Sequence, residues 1–166
     1  MGFFTKPDAA GAAAGPEPLS HERITAVLDA RDVKHGRDKD GDVVGLWGGH
    51  LFCVSCLGVT REHLQLHGKW NREVGIDQYA RIVDLVNTWN VETLWPKGCV
   101  RAEGDGVGVY ALHTVNCAHG LTDQQIDLNL MGGITAALKM FERLDAAYPE
   151  EAAKARRTFQ EAMDSR

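Results

Sequence analysis

The chain has 166 residues, 44% apolar and 25% charged, which is the size and composition of one soluble globular domain. Its net charge of −5 and its scattered Lys and Arg residues argue against nucleic-acid binding, because neutralising phosphates requires clustered positive charge. No apolar run approaches the ~20 residues that cross a bilayer, and Pro7 and Asp8 interrupt the start too soon for a secretory signal. We therefore expect a cytoplasmic protein that binds neither nucleic acid nor membrane, with its four cysteines kept as thiols.

The beginning of the chain predicts an arm followed by a capped helix. Residues 1–18 are rich in Ala, Gly and Pro and cannot bury one face, which predicts a flexible arm. The ordered domain is expected over 19–149. Ser20 is a preferred N-cap residue, and Leu19 can pack on Ile24 across that cap at the start of a short first helix.

Three or four antiparallel strands are predicted next. Asp40-Gly41 and Gly48-Gly49 are turn signals that join neighbouring strands into hairpins. From His63 to Trp70, apolar and polar residues alternate with a period of two, which is typical of a strand with one buried and one solvent-facing side. The predicted strands cover 33–37, 42–47, 50–57 and 63–70.

The second half of the chain predicts helix, two strands and helix. Apolar residues recur at helical spacing from Ile76 to Val91, and Pro96 prevents any continuation of that helix. Strands are expected near 97–103 and 107–116, and Thr122 opens a capping box with Gln125 at the start of the last main helix. The tail, 150–166, is charged and is expected to be helical.

The predicted order of elements is α-β-β-β(-β)-α-β-β-α. Strands that are grouped by hairpins, with helices between the groups, indicate an α+β fold. We expect an antiparallel sheet of about five to six strands flanked by helices.

Two motifs suggest metal or redox chemistry and match it poorly. An EF-hand loop that began at Asp38 would need Gly and Glu where the chain has Val43 and Gly49, which favours a solvated hairpin. Cys53 and Cys56 form a CxxC pair inside a predicted strand, where residues three apart point to opposite faces. Two buried, apolar cysteines are the favoured interpretation.

No catalytic motif is present. The chain has no nucleophile elbow, Walker loop, dinucleotide-binding turn or zincin helix, so we predict a protein that is not an enzyme and carries no cofactor. His63 and His67 are expected to face solvent, while the side of the sheet that His113 faces stays open. The alternative to a protein-binding module is a metal- or small-ligand sensor, and its candidate ligands are Cys53, Cys56, Cys117, His113 and His119.

Aromatic residues are the candidate contact residues. Tryptophans are more often core than surface, yet aromatic side chains are also the usual anchors of interfaces. The candidate contacts with a partner or a second copy are Trp47, Trp70, Tyr79, Trp89 and Trp95.

Six short segments together form a pattern that spans most of the ordered chain: Gly45-Leu46-Trp47, Leu51-Phe52, Gly68-Lys69-Trp70, Val86-Asn87-Thr88-Trp89-Asn90, Leu94-Trp95-Pro96-Lys97 and Gly120-Leu121-Thr122-Asp123-Gln124-Gln125. In these segments, over about residues 19–149, the chain resembles the YbjN family in its actinobacterial form. Cys53 and Cys56 depart from the aromatic or aliphatic residues common at those positions. The resemblance implies a fold similar to type III secretion chaperones, often dimeric, with no established catalytic residues and the label of a sensory transduction regulator.

These observations together predict a non-catalytic protein-binding module, chaperone-like or regulatory, that acts on a protein partner of unknown identity. A homodimer is expected, with its seam near the tryptophans of the second helix.

Overall fold

A computed structural model describes residues 15–164, with only the backbone of Met163. Within that range the chain forms four α-helices and one six-stranded sheet. The elements are α1 (His21–Ala30), β1 (Gly36–Arg37), β2 (Val43–Trp47), β3 (His50–Leu57), β4 (His63–Lys69), α2 (Tyr79–Glu92), β5 (Lys97–Glu103), β6 (Gly106–Asn116), α3 (Asp123–Ala147) and α4 (Pro149–Asp164).

The sheet has the strand order β1-β2-β3-β4-β6-β5, and every neighbouring pair is antiparallel. The predicted α+β fold and order of elements are confirmed. Both predicted hairpin turns are present, because glycines with positive φ at Gly41 and Gly48 supply the left-handed backbone that such turns require.

The core lies between one face of the sheet and helices α1, α2 and α3. Phe52 on β3 and Leu66 on β4 are buried on that face, and Phe141 from α3 packs on Phe52 with ring centroids 6.1 Å apart. Close packing depends on small residues: a Cβ on Gly133 of α3 would lie 2.7 Å from Leu66 Cδ2. The other face of the sheet, among the described residues, carries no helix.

Two elements start later than their sequence pattern predicts. Residues 33–35 do not pair as a strand, because Val33 N–H closes the end of α1 by donating to Leu28 O and Lys34 O accepts from Trp47 Nε1. The second helix begins with a single 3₁₀ turn over Ile76–Gln78 before α2 proper. Ile76 is exposed there and its N–H donates to Asp105 O instead of entering the α-helical ladder.

The helix starts follow the predicted capping. Ser20 Oγ accepts from Arg23 N–H, and Thr122 and Gln125 form a reciprocal capping box at the start of α3. Leu19 and Ile24 are both buried beside the first cap.

The last residues of the predicted arm are tied to the domain, and residues 1–14 of that arm lie outside the described part of the chain. Glu17 and Leu121 form a backbone bridge of two hydrogen bonds, 3.1 and 2.9 Å long. Arg23 reinforces the bridge, since its guanidinium donates to Glu17 O and to Leu121 O, both at 2.7 Å. The described part of the chain therefore begins beside the first turn of α3.

Candidate functional site

Two of the candidate aromatic contacts are core residues. Trp70 is 1% exposed and its Nε1–H donates to Asp145 Oδ1 at 2.8 Å. Trp89 is 8% exposed and its Nε1–H donates to Pro96 O at 2.9 Å. In this fold both side chains lie in the core, and a contact of either with a partner stays a prediction.

Trp47 and Tyr79 lie closer to the surface, at different places. Trp47 is partly buried, its ring centroid lies 5.3 Å from that of Phe52, and its Nε1–H is bound to Lys34 O. Tyr79 is exposed at the first residue of α2. Trp47 thus holds the segment between α1 and β1, whereas a contact of Tyr79 with a partner stays a prediction.

Trp95 is exposed and its position is fixed by three elements. It lies in the loop between α2 and β5, with a cis peptide bond to Pro96. Its ring centroid lies 4.9 Å from that of His113 on β6, and a Cβ on Gly132 of α3 would be 3.2 Å from Trp95 Cη2. His113, whose direction the sequence leaves open, thus faces the helices, and its Nε2 is 3.2 Å from Asn129 Oδ1.

Three further apolar side chains are exposed on the elements that flank Trp95, namely α2, the loop after it, and α3. Leu94 precedes it in the loop and is 83% exposed, and Leu128 is 71% exposed one turn before Gly132 on the same face of α3. Val91, in the last turn of α2, is also exposed. We call Val91, Leu94, Trp95 and Leu128 the Trp95 patch. None of its members is charged, and three of the four expose most of their apolar surface.

The face of the sheet opposite the helices, here called the open face, is a weaker candidate for a binding surface. Leu46 and Leu51 are about half exposed there, at 48% and 50%. Leu57, farther along β3 on the same face, is 41% exposed. Polar side chains on this face pair with each other: Lys69 Nζ donates to Glu103 Oε2 at 2.8 Å, and Gln65 Nε2 donates to Thr114 Oγ1 at 3.1 Å. These polar groups are therefore satisfied within the chain.

The cysteines do not form a redox or zinc pair. Cys56 packs against the core while Cys53 lies on the open face, so the prediction of opposite faces holds, although each is half-buried rather than buried. Burial raises the pKa of the Cys56 thiol to about 11 and also raises the pKa of the Cys53 and Cys117 thiols. Protonated thiols are poor nucleophiles and poor metal ligands.

The predicted sensor ligands are not brought together. Over residues 15–164, the group of possible ligands close enough to share an ion is Asp38, Asp42 and Cys53. Donors of the protein already occupy Asp42, because Ser55 Oγ–H lies 2.6 Å from Oδ2 and His21 Nε2 lies 3.1 Å from Oδ1. Asp38 Oδ1 accepts the backbone N–H groups of Asp40 and Asp42, which is what a hairpin turn requires.

A cleft of about 950 Å³ separates α4 from the end of the sheet. Four of its seven charged lining residues form two pairs with each other: Lys69 with Glu103, and Lys154 with Glu73, each at 2.8 Å. Arg72 pairs with Asp145, while Asp105 and Glu151 also line the cleft. The paired charges do not supply the convergent acid and base that a catalytic pocket needs.

A buried polar cluster beside this cleft escaped sequence reasoning. Arg72 donates through Nε and Nη2 to both carboxylate oxygens of Asp145, at 3.0 and 2.8 Å, and Trp70 shares that carboxylate. His50 lies next to Arg72, and its Nδ1 accepts from Asn71 N–H at 3.0 Å. Burial, and then the nearby positive charge of Arg72, lower the pKa of His50 to about 4. This cluster fastens β3 and β4 to α3 inside the fold.

Residues 20–146 match the family model described as "YbjN: Putative bacterial sensory transduction regulator". The chain belongs to the YbjN family. The resemblance predicted from the sequence is therefore confirmed, and the description of the family supports the general interpretation of a regulator.

A solved structure is similar to this YbjN-family chain: "Crystal structure of YbjN, a putative transcription regulator from E. coli". The TM-score is 0.68 at 9% identity, covering 81% of this chain and 97% of the other. At that identity the likeness shows the fold alone. No curated protein matches the chain. No helix within residues 15–164 is long and apolar enough to cross a bilayer.

Proposed function

We propose that this YbjN-family chain is a non-catalytic regulatory module that binds another protein through the Trp95 patch. The observation that supports it is the exposure of Leu94 (83%) and Leu128 (71%), one beside Trp95 in the chain and the other one turn before Gly132, which with His113 of β6 holds the Trp95 ring in place. Aromatic and aliphatic side chains held rigidly at a surface are the usual anchors of protein interfaces.

The patch fits a protein partner better than a small polar ligand. Its four members offer no charged or hydrogen-bonding group besides the indole N–H, so recognition rests on apolar contact. Such contact is strongest with a partner that presents its own apolar side chains, because both surfaces then leave water. The partner we expect is a protein segment with apolar anchors, its identity unknown, in a cytoplasmic setting.

The buried polar cluster and the thiols do not support a different function. Arg72 and Asp145 are paired inside the fold, and the thiols of Cys53, Cys56 and Cys117 have raised pKa values. Neither the paired Arg72 and Asp145 nor these protonated thiols therefore supply an ionised group to an enzyme or metal-sensor function.

Site-specific photocrosslinking tests the proposal. With p-benzoylphenylalanine in place of Leu94 or Leu128, we expect crosslinks to a protein when intact cells are irradiated. Val59, fully exposed in the β3–β4 loop, is the matched control position and should give none.

The mass of the crosslinked product separates a different protein from a second copy of this chain, so the same experiment checks the predicted homodimer. Equal crosslinking at Val59 and Leu94, or none at either patch position, would contradict the proposal.

A further inference from the structure

Strand β5 is one edge of the sheet, with β6 as its neighbour. In an antiparallel pair, two facing residues either bond each other or both point outward, and the two cases alternate along the strand. Val109 on β6 turns to the β4 side, because its O accepts from Trp70 N–H at 2.9 Å. Val100 faces Val109 in the register, so its N–H and C=O point away from the sheet. Alternation gives the same outward direction to Gly98 and Ala102.

Asn90 of α2 already binds this edge in the way that a neighbouring strand would. Its Nδ2–H donates to Gly98 O at 3.0 Å, and its Oδ1 accepts from Gly98 N–H at 2.7 Å. These are the two hydrogen bonds that one residue of an added strand would make. Val100 is half-buried and Ala102 is exposed, and neither has a main-chain partner on that side among residues 15–164. Their outward N–H and C=O groups match the backbone of an extended segment.

The side chain between these groups favours an acidic segment. Arg101 is exposed, and its guanidinium lies 5.4 Å from the centre of the Tyr110 ring. Within the described part of the chain it forms no ion pair, since Glu103, the carboxylate of β5, binds Lys69 instead. A carboxylate opposite Arg101 on an added strand would complete a cross-strand ion pair.

A second copy of this chain fits the edge poorly. Pairing Val100 with Ala102 of another copy would put the two Arg101 side chains opposite each other, and like charges in that position destabilise a sheet. Pairing centred on Val100 needs Gly98, whose N–H Asn90 already holds. Pairing centred on Ala102 keeps that residue's bonds alone, because both strands end one residue later. The occupant that fits is therefore a segment of a different protein.

We propose that an extended, acidic segment of a different protein adds to β5 as a further strand, hydrogen-bonded to Val100 and Ala102. This inference rests on the proposed function, because the segment belongs to the partner that binds the Trp95 patch. The two surfaces adjoin: Val91 of the patch follows Asn90, which holds the edge at Gly98. One partner thus places apolar side chains on the patch and continues along β5 by strand addition.

Amide hydrogen exchange in the crosslinked complex tests the inference. The full chain with p-benzoylphenylalanine in place of Leu94 is irradiated in cells, and the purified covalent product is compared with the same chain before irradiation. The amide protons of Val100 and Ala102 should exchange about tenfold or more slowly in the product, because each gains a hydrogen bond. The amide of Arg37 on β1, at the opposite edge of the sheet, is the control and should be unchanged.

Charge reversal gives a second readout of the same complex. In the chain labelled at Leu94, Arg101→Glu should lower the yield of crosslinked product about threefold or more, because two carboxylates would then face each other. Arg37→Glu is the matched control, since it reverses a partly exposed charge on the opposite edge strand and should keep the yield. Equal yields from the two variants would contradict an acidic segment at Arg101.

A crosslink from Leu94 without slower exchange at Val100 and Ala102 overturns the inference and leaves the proposed function standing. A product with the mass of two copies of this chain also overturns the inference, because the occupant would then be a second copy. The absence of any crosslink from Leu94 and Leu128 overturns the proposed function and this inference with it.

Discussion

Asp145→Ala is expected to lower the free energy of unfolding by about 3–5 kcal/mol, the usual cost of breaking a buried ion pair by removing one partner. The side chains of Arg72 and Asp145 are only 5% and 16% exposed, so the substitution leaves a buried guanidinium without its carboxylate. It also removes the acceptor of the Trp70 indole N–H. Urea unfolding at pH 7, followed by tryptophan fluorescence, measures the loss.

Glu92→Ala is the matched control for this prediction. It removes the carboxylate that pairs with Arg143, where both side chains are about half exposed, at 52% and 42%. An exposed pair contributes only about 0–1 kcal/mol. Equal losses in Asp145→Ala and Glu92→Ala would show that the Arg72 cluster does not hold the sheet to α3 as described.

Acid is expected to destabilise the fold through His50. Its pKa is about 4 in the folded chain, against an ordinary value of 6.5, because burial disfavours the charged ring. Between those two values the unfolded chain binds a proton that the folded chain does not, so stability is fully present above pH 6.5 and falls as the pH drops towards 4. The shift corresponds to a loss of up to about 3 kcal/mol.

The measurement is urea unfolding at several pH values from 7 to 4 for wild type and His50→Gln. The variant should lose less stability than wild type over that range, since its side chain does not titrate. His119→Gln, in an exposed turn after β6, is the matched control and should follow wild type. Parallel pH profiles for wild type and His50→Gln would exclude His50 as the acid-sensitive group.

Local signals in the sequence predict most of the fold. The turn glycines, the Ser20 cap and the capping box of Thr122 with Gln125 each act within a few residues, which is why their positions were predicted correctly. Strand β1 is shorter than predicted because Val33 is used by the end of α1, a tertiary choice that strand propensity does not contain.

The candidate site was only partly predictable. Trp89 shares helical spacing with Ile82 and Val86, and Trp70 continues the alternation of Leu64 and Leu66, so both patterns already indicated burial. Leu128 lies two residues from the buried Leu130, off the core-facing stripe of α3, which is a sequence signal for an exposed apolar residue. The pairing of Arg72 with Asp145 joins residues far apart in the chain and has no local signature.

The central claim is that the Trp95 patch, rather than the open sheet face, binds the protein partner. The most direct test measures the affinity of the protein crosslinked from Leu94 for two double variants of the full chain. Leu94→Ser/Leu128→Ser should weaken binding about tenfold or more, as expected for the loss of interface anchors. Leu46→Ser/Leu51→Ser, which removes two exposed leucines from the sheet face, should leave the affinity unchanged. The reverse pattern would contradict the account and place the binding surface on the open face of the sheet.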